Sequence, residues 1–370
     1  MEISYENKKD KEQILKAASD FNINIEFDPC KPLLIFGDNF KGLPLLKNYY
    51  TNKIDLIYID PPFNTNQDFY ISSNRANSIS RQNNAVLAYS DKMSKEDYLE
   101  FIRERLVLLH ELLSEKGSIY FHIDYKIGHY IKIIMDEIFG EKNYKNDITR
   151  IKSNPKNFYR RAYGNEKDMV LFYSKTNENI WNDVKIPLSN SEISKKFSKI
   201  DADGRRYTTV PLHAPGETKS GNTGKPWGNI EVPEGRHWRT DPSEFDLLNS
   251  QGKIEWSSTG NPRIKKYAED HKGKKIQDVW VFKDPQEPRY PTEKNSKMLK
   301  QIILQSSAED SIVLDCFAGS GSTLKCAYDL NRQWIGIDNS KEAINVIKNR
   351  NLGTYQFINL KKNKVEIINR

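Results

Sequence analysis

The chain has 370 residues, with 57 Lys plus Arg against 50 Asp plus Glu, a net charge of +7 at pH 7, and 37% hydrophobic and 11% aromatic side chains. At roughly 150 residues per domain this makes two or three domain-sized units, or one large α/β domain with an insertion, and the apolar content excludes wholesale disorder. No run of about 18 apolar residues is present, the charged start MEISYENKKDKEQ lacks an apolar signal core, and Cys30, Cys316 and Cys326 are too scattered for a disulfide scaffold, so a protein of the reducing cytoplasm, off the membrane, is expected.

In chain order, Pro32–Phe36 and Ile54–Ile59 are short apolar runs ending at turn residues, as buried parallel strands do. Ser94 opens a helix, with Asp97 at the capping-box position, an apolar stripe of Phe101, Ile102, Leu106, Leu109 and Leu113, and Gly117 as the stop. Ser118–Ile123 reads as a strand and Ile127–Ile138 as a helix, and after Lys152 the pattern breaks. One strand-like run, Met169–Tyr173, precedes an irregular stretch rich in Gly and Pro between His213 and Arg239. Regular signals then return: helices over Ser296–Ser306, Ser322–Leu330 and Glu342–Arg350, and strands over Ser311–Cys316 and Gln333–Asp338. Neither flank has enough strands alone, so residues 1–150 and 281–370 are expected to build one sheet, split by an insertion over 151–280.

The charge follows the same division. Residues 1–149 hold 19 basic and 23 acidic side chains, residues 150–280 hold 24 and 17, and residues 281–370 hold 14 and 10. The middle segment carries Arg160, Arg161, Arg205, Arg206, Arg236 and Arg239, interleaved with Tyr159, Tyr163, Trp227, Trp238 and Trp256. Basic groups among stacking rings suit a polyanion whose bases are also touched; a solvated loop face is the plainer alternative.

Two motifs carry chemistry. Asp315-Cys316-Phe317-Ala318-Gly319-Ser320-Gly321-Ser322-Thr323 follows a strand and opens a helix, and its glycines let the backbone turn tightly against a ligand. Asp338 ends the next strand, where a carboxylate can accept both hydroxyls of a ribose, which points to a nucleoside-containing cofactor. Leu324 stands where a dinucleotide fingerprint needs glycine, and no Gly-Lys-Ser/Thr follows, which excludes a good NAD site and a P-loop. The second motif, Asp60-Pro61-Pro62-Phe63, follows the strand Ile54–Ile59. A carboxylate beside a rigid, donor-poor carbonyl is an acceptor pair matched to an exocyclic base amine, with Phe63 as a stacking face.

Asp60-Pro61-Pro62-Phe63, then a basic variable region, then Pro291-Thr292-Glu293-Lys294 and the glycine turn resembles the β group of amino-methylating DNA methyltransferases, of the N6-adenine kind found among type II and type III modification enzymes. The resemblance covers roughly residues 30–350 and implies a Rossmann-like α/β sheet with circularly permuted motif order and an inserted α+β target recognition domain. It implies S-adenosylmethionine along Asp315, Phe317, Gly319, Gly321 and Thr323, with Asp338 on the ribose. Thr292, Glu293 and Lys294 would hold the methionine end, and Gly37-Asp38-Asn39 would lie beside the cofactor. Asp60, Pro61, Pro62 and Phe63 would hold a target adenine flipped out of duplex DNA. Phe63 replaces the commoner Tyr, and Asn295 stands where a proline usually follows, which puts the local turn in doubt.

Hydrogen bonds to Asp60 and to the Pro61 carbonyl would draw the amine nitrogen towards tetrahedral geometry, ready to attack a sulfonium methyl group in line. No metal is expected, because the six histidines do not pair with cysteines at ligand spacing. His122 and His129, at a strand end and a helix start, are expected to be structural. Arg160, Arg161, Arg205, Arg206, Arg236, His237, Trp238 and Arg239 are candidate DNA contacts, more suited to phosphates than to base reading. Methylation of the cytosine amine, an RNA base methyltransferase and a non-catalytic DNA-binding partner remain as alternatives. A homodimer and a cognate restriction subunit are partners the resemblance suggests.

Overall fold

The computed structural model describes residues 2–21, 25–62, 93–154, 159, 161–218, 220–291 and 293–369, together with the backbone of 68–71, 76–77 and 86–90. The chain divides into a larger unit, Met1–Val184 with Gln277–Arg370, and a smaller one, Lys185–Ile276.

Ten strands form the sheet of the larger unit: β1 Leu33–Phe36, β2 Ile54–Ile59, β3 Leu113–Ile123, β4 Tyr144–Ile151, β5 Lys167–Ser174, β6 Val279–Val281, β7 Ile312–Asp315, β8 Gln333–Asp338, β9 Tyr355–Asn359 and β10 Lys364–Ile368. Their spatial order is β6-β4-β5-β3-β2-β7-β8-β1-β9-β10. The six central strands β3, β2, β7, β8, β1 and β9 are parallel, and β5 and β10 run against their neighbours. This is a Rossmann-like α/β arrangement, and its parallel strands are buried on both faces as their apolar runs require. The pairing of β2 with β7, Leu56 beside Val313 and Ile57 beside Leu314, joins the two halves of the sequence at the centre of the sheet. Asp60 and Asp315 therefore leave adjacent parallel strands at the same sheet edge.

The described residues of the larger unit form seven α-helices: α1 Lys11–Ser19, α2 Asn39–Tyr50, α3 Lys95–Leu112, α4 Gly128–Phe139, α5 Ser296–Ser306, α6 Ser322–Asp329 and α7 Lys341–Lys348. The Ser94 side chain caps α3 by accepting from the Asp97 N–H. Gly117 does not stop that helix, because the chain passes from Leu112 straight into β3. A Cβ at Gly117 would sit 2.8 Å from the Ile54 carbonyl oxygen, so this glycine permits close strand contact instead.

The insertion is shorter than the expected 151–280. β4, β5 and β6 belong to the main sheet, and the compact inserted unit spans 185–276. That unit is mostly antiparallel: Lys199–Ile200, Arg206–Pro211, Pro262–Tyr267 and Ile254–Trp256 form one sheet, and His213–Pro215 pairs with Arg236–Trp238. Its core is built on Leu212, Trp227, Trp238, Phe245 and Ile254.

Candidate active site

Asp60 follows β2 directly, and its two oxygens have different surroundings. Oδ2 lies 2.5 Å from Lys294 Nζ, with both side chains largely enclosed. Oδ1 is buried and accepts no hydrogen bond among the described residues. A buried carboxylate oxygen without a donor costs free energy unless a partner reaches it. Pro61 is buried and the Pro62 carbonyl accepts from Tyr98 of α3 at 2.6 Å, which fixes the turn.

Behind Asp60 lies a polar cluster spanning β2, β3, β5 and β4. His122 of β3, with no exposed surface, has Nδ1 2.9 Å from the Tyr58 hydroxyl and 3.7 Å from Asp60 Oδ1, and Nε2 3.3 Å from Asp168 Oδ2. Asp168 also meets Lys152 at 2.5 Å and the buried Arg150 at 3.4 Å. Burial alone would raise the Asp168 carboxyl, but the hydrogen bond from His122 and the charge of Lys152 hold it well below the usual carboxylate range. Burial likewise pulls the His122 imidazole below its ordinary value, against the pull of Asp168 and Asp60.

The glycine turn closes the neighbouring strand. Gly319 and Gly321 have φ of +50° and +73°, in the left-handed region. Asp338, at the end of β8, accepts from the Gly319 N–H at 2.7 Å and the Ser340 N–H at 2.8 Å. Burial pushes the Asp315 carboxyl up to about 7 against a hydrogen bond from Thr323, and pushes Asp338 up to about 6 against its backbone donors. Arg105 of α3 binds Asn39 at 2.8 Å and Asp38 at 3.3 Å, and lies over the ring of Phe101, which meets Phe317 edge-on. Asn39 in turn donates to the Cys316 carbonyl at 2.9 Å, tying the start of α2 to the turn. Glu293 is held by Arg350 at 2.6 Å and by the Ser322 hydroxyl at 3.0 Å, so it braces the turn from outside. Asn295 caps α5 by accepting from the Lys297 N–H at 2.9 Å, which replaces the stiffness a proline would give.

The structure thus gathers Asp60, Pro61, Pro62, Lys294, Asp315, Phe317, Gly319, Gly321, Thr323, Asp338 and Asp38 along one edge of the sheet. Phe63, Thr292 and Arg160 lie outside the described residues. Trp238 requires a correction: expected at the DNA, it is 1% exposed, packs edge-on against Phe245 and donates Nε1–H to the Lys225 carbonyl, so it is a core residue of the smaller unit. Arg161, Arg205, Arg206, Arg236 and Arg239 are exposed and His237 is half-buried. Arg205 is already paired with Asp203 and Glu269. Sequence reasoning missed the buried polar cluster of His122, Asp168 and Tyr58 behind Asp60, and the bracing role of Arg350. A charged residue at the mouth of an apolar strand run, as Asp168 is before Met169–Tyr173, was the available signal.

Gly321→Ala is expected to destabilise the larger unit by about 1–2 kcal/mol from backbone conformation alone. The added Cβ would also meet Ile347 Cγ1 at 2.7 Å. A melting temperature unchanged from wild type would contradict this account of the turn.

A parallel α/β sheet with an open carboxylate acceptor beside a glycine turn defines a group-transfer site of the nucleoside-cofactor kind. The chain belongs to the DNA methylase family of the N6/N4 type, whose family model matches residues 54–349. It is 40% identical over 307 residues to the type II methyltransferase M.EcaI of Enterobacter cloacae, covering 80% of this chain and 64% of that protein. It is 26% identical to the Mod subunit of the type III restriction-modification enzyme EcoP15I of Escherichia coli, covering 88% of this chain and 58% of that one. The chain thus spans less than two thirds of the length of either relative. Among solved structures, the M1.HpyAVI–SAM complex is 17% identical, with 86% of this chain and 100% of that chain covered and a TM-score of 0.42.

Proposed function

We propose that this chain transfers the methyl group of S-adenosylmethionine to the exocyclic amine of adenine in duplex DNA. The observation that carries the reading is Asp60 Oδ1, a buried acceptor without a donor among the described residues, one strand away from the glycine turn. The turn suits the cofactor: its glycines leave the backbone open, Asp338 stands where ribose hydroxyls can donate, and the buried Asp315 carboxyl awaits a cation. When bound, S-adenosylmethionine supplies an electrophilic methyl group on a sulfonium. Asp60 accepts a hydrogen bond from the amine and so concentrates the nitrogen lone pair for attack. Lys294 holds the other carboxylate oxygen and fixes the plane in which Oδ1 is presented. The base must leave the duplex stack to reach this edge, at a cost of a few kcal/mol that stacking and groove contacts offset. The exposed Arg161, Arg206, Arg236 and Arg239 supply cationic contacts to DNA phosphates. The leaning to adenine over cytosine follows the resemblance, in which Asp stands first in the acceptor motif. Relatives named as modification subunits support a restriction subunit as a partner, and a DNA substrate supports a cytoplasmic site of action.

The direct test is tritiated S-adenosylmethionine with unmodified genomic DNA, followed by nucleoside chromatography, with label expected on N6-methyl-2′-deoxyadenosine. Label on 4-methylcytosine would transfer the reading to the cytosine amine, and no label on any DNA would leave a binding module. A second expectation follows from the raised carboxyls. Asp315 near 7 and Asp338 near 6 are partly protonated just below neutrality, and a cation or hydroxyl donors favour the ionised form. Binding S-adenosylmethionine between pH 6 and 7 should therefore release protons, seen as a buffer-dependent heat in calorimetry. Equal heats in buffers of different ionisation enthalpy would contradict it.

A further inference from the structure

His122 belongs to neither of the two motifs, yet it is enclosed directly behind the proposed acceptor. Arg150 and Lys152 keep Asp168 an ionised acceptor, so the His122 Nε2 that faces it at 3.3 Å carries the ring proton. Nδ1 is then the unprotonated nitrogen and accepts from the Tyr58 hydroxyl at 2.9 Å. That lone pair also faces Asp60 Oδ1, 3.7 Å away.

We propose that His122 is a positioning residue for methyl transfer: its Nε2–H tautomer, set by Asp168, keeps Asp60 Oδ1 free for the substrate amine, and its doubly protonated form closes that acceptor. The inference rests on the reading of Asp60 given above. A neutral imidazole offers Oδ1 no donor, so the lone pairs of that oxygen stay open until the amine arrives. An imidazolium carries a second N–H on Nδ1, with the Tyr58 oxygen and Asp60 Oδ1 both in reach; once it turns to Oδ1, the amine loses its acceptor. Among the described residues, the groups that govern this balance come from the neighbours of β3. They are Tyr58 and Asp60 from β2, Asp168 from β5, Arg150 and Lys152 from β4, Lys294 from the segment before α5, Asp315 at the end of β7, and Asp124 at the end of β3 itself. Burial favours the neutral ring, and so does the Tyr58 hydroxyl that donates to it.

Single-turnover transfer of tritium from S-adenosylmethionine to unmodified genomic DNA, followed from pH 5 to 8, reads the two forms. Tyr58→Phe removes the donor that favours the neutral ring, so the acid limb of its rate profile should move up by about half a pH unit or more. Asp168→Asn places an amide donor against Nε2 and drives the proton to Nδ1. Its rate should fall about 100-fold, as expected when a histidine is held in the wrong tautomer, with cofactor affinity kept within about twofold. An acid limb in Tyr58→Phe that coincides with wild type overturns the proposal, as does wild-type transfer by a folded Asp168→Asn. If Asp168→Asn does not fold, the Tyr58→Phe profile decides alone. A wild-type protein without transfer at any pH overturns the methyltransferase reading itself, an outcome distinct from failure of the tautomer assignment.

Discussion

Asp60→Ala is expected to lower single-turnover methyl transfer by about 100- to 1,000-fold, the usual consequence of removing one preorganised partner of the reacting group. The substituted site keeps Pro61 and Pro62, and the glycine turn on β7 lies one strand away with its own hydrogen bonds intact. Affinity for S-adenosylmethionine should therefore stay within about twofold of wild type. Asp60→Asn is the informative companion. It retains one acceptor oxygen but loses the charge that pairs with Lys294 at 2.5 Å. Its amide N–H can also turn to the His122 lone pair, so an intermediate rate is expected. Equilibrium dialysis with labelled cofactor, beside the transfer assay, separates the two roles. Loss of cofactor affinity in Asp60→Ala would contradict the division of labour between the two motifs.

The parts of the fold legible in the sequence were those with local causes. The strand at Ile54–Ile59, the helix at Ser296–Ser306 and the strand at Gln333–Asp338 fall where apolar runs and turn residues place them. Both motifs lie at strand ends, so their meeting at one sheet edge needed only the pairing of β2 with β7. Long-range register was not legible. The start of β3 at Leu113 was hidden because a helix passes into a strand without a turn, and Gly117 imitates a stop. Tyr144, Lys145, Asn146 and Asp147 carry no apolar strand run, yet they begin β4, which pairs with β5 away from the sheet centre. The cluster around His122 was invisible for the same reason. It exists only because β5 runs antiparallel to β3 and places His122 opposite Val170, within reach of Asp168. Trp238 shows the converse limit: its basic neighbours suggested DNA, whereas its ring packs edge-on against Phe245 in the core of the smaller unit, beside the exposed Arg239.

The largest loss of stability is expected from Asp168→Ala. This carboxylate is 3% exposed and compensates Arg150, which has no exposed surface, and Lys152. Removing one member of a buried charge cluster leaves the others uncompensated, and such changes cost about 3–5 kcal/mol. Arg150 keeps the carbonyl of Phe282 and its contact with Asp284, which places the cost towards the lower end of that range. The pH dependence has a definite sign. The folded Asp168 carboxyl lies below its ordinary value of 3.8, so its contribution is present above about pH 4 and is lost as the pH falls below that. Asp315 and Asp338 are raised from 3.8, so their contribution is full below about pH 4 and is lost as the pH rises from there to about 6 and 7, while His122, lowered by burial from 6.5, contributes at higher pH and opposes them. Wild-type melting temperature should therefore change little between pH 8 and pH 7 and fall steeply below pH 4. In Asp168→Ala the acid fall should flatten. Thermal denaturation of both proteins over this range tests the assignment, and an acid limb of equal steepness in the variant would place the titrating group elsewhere.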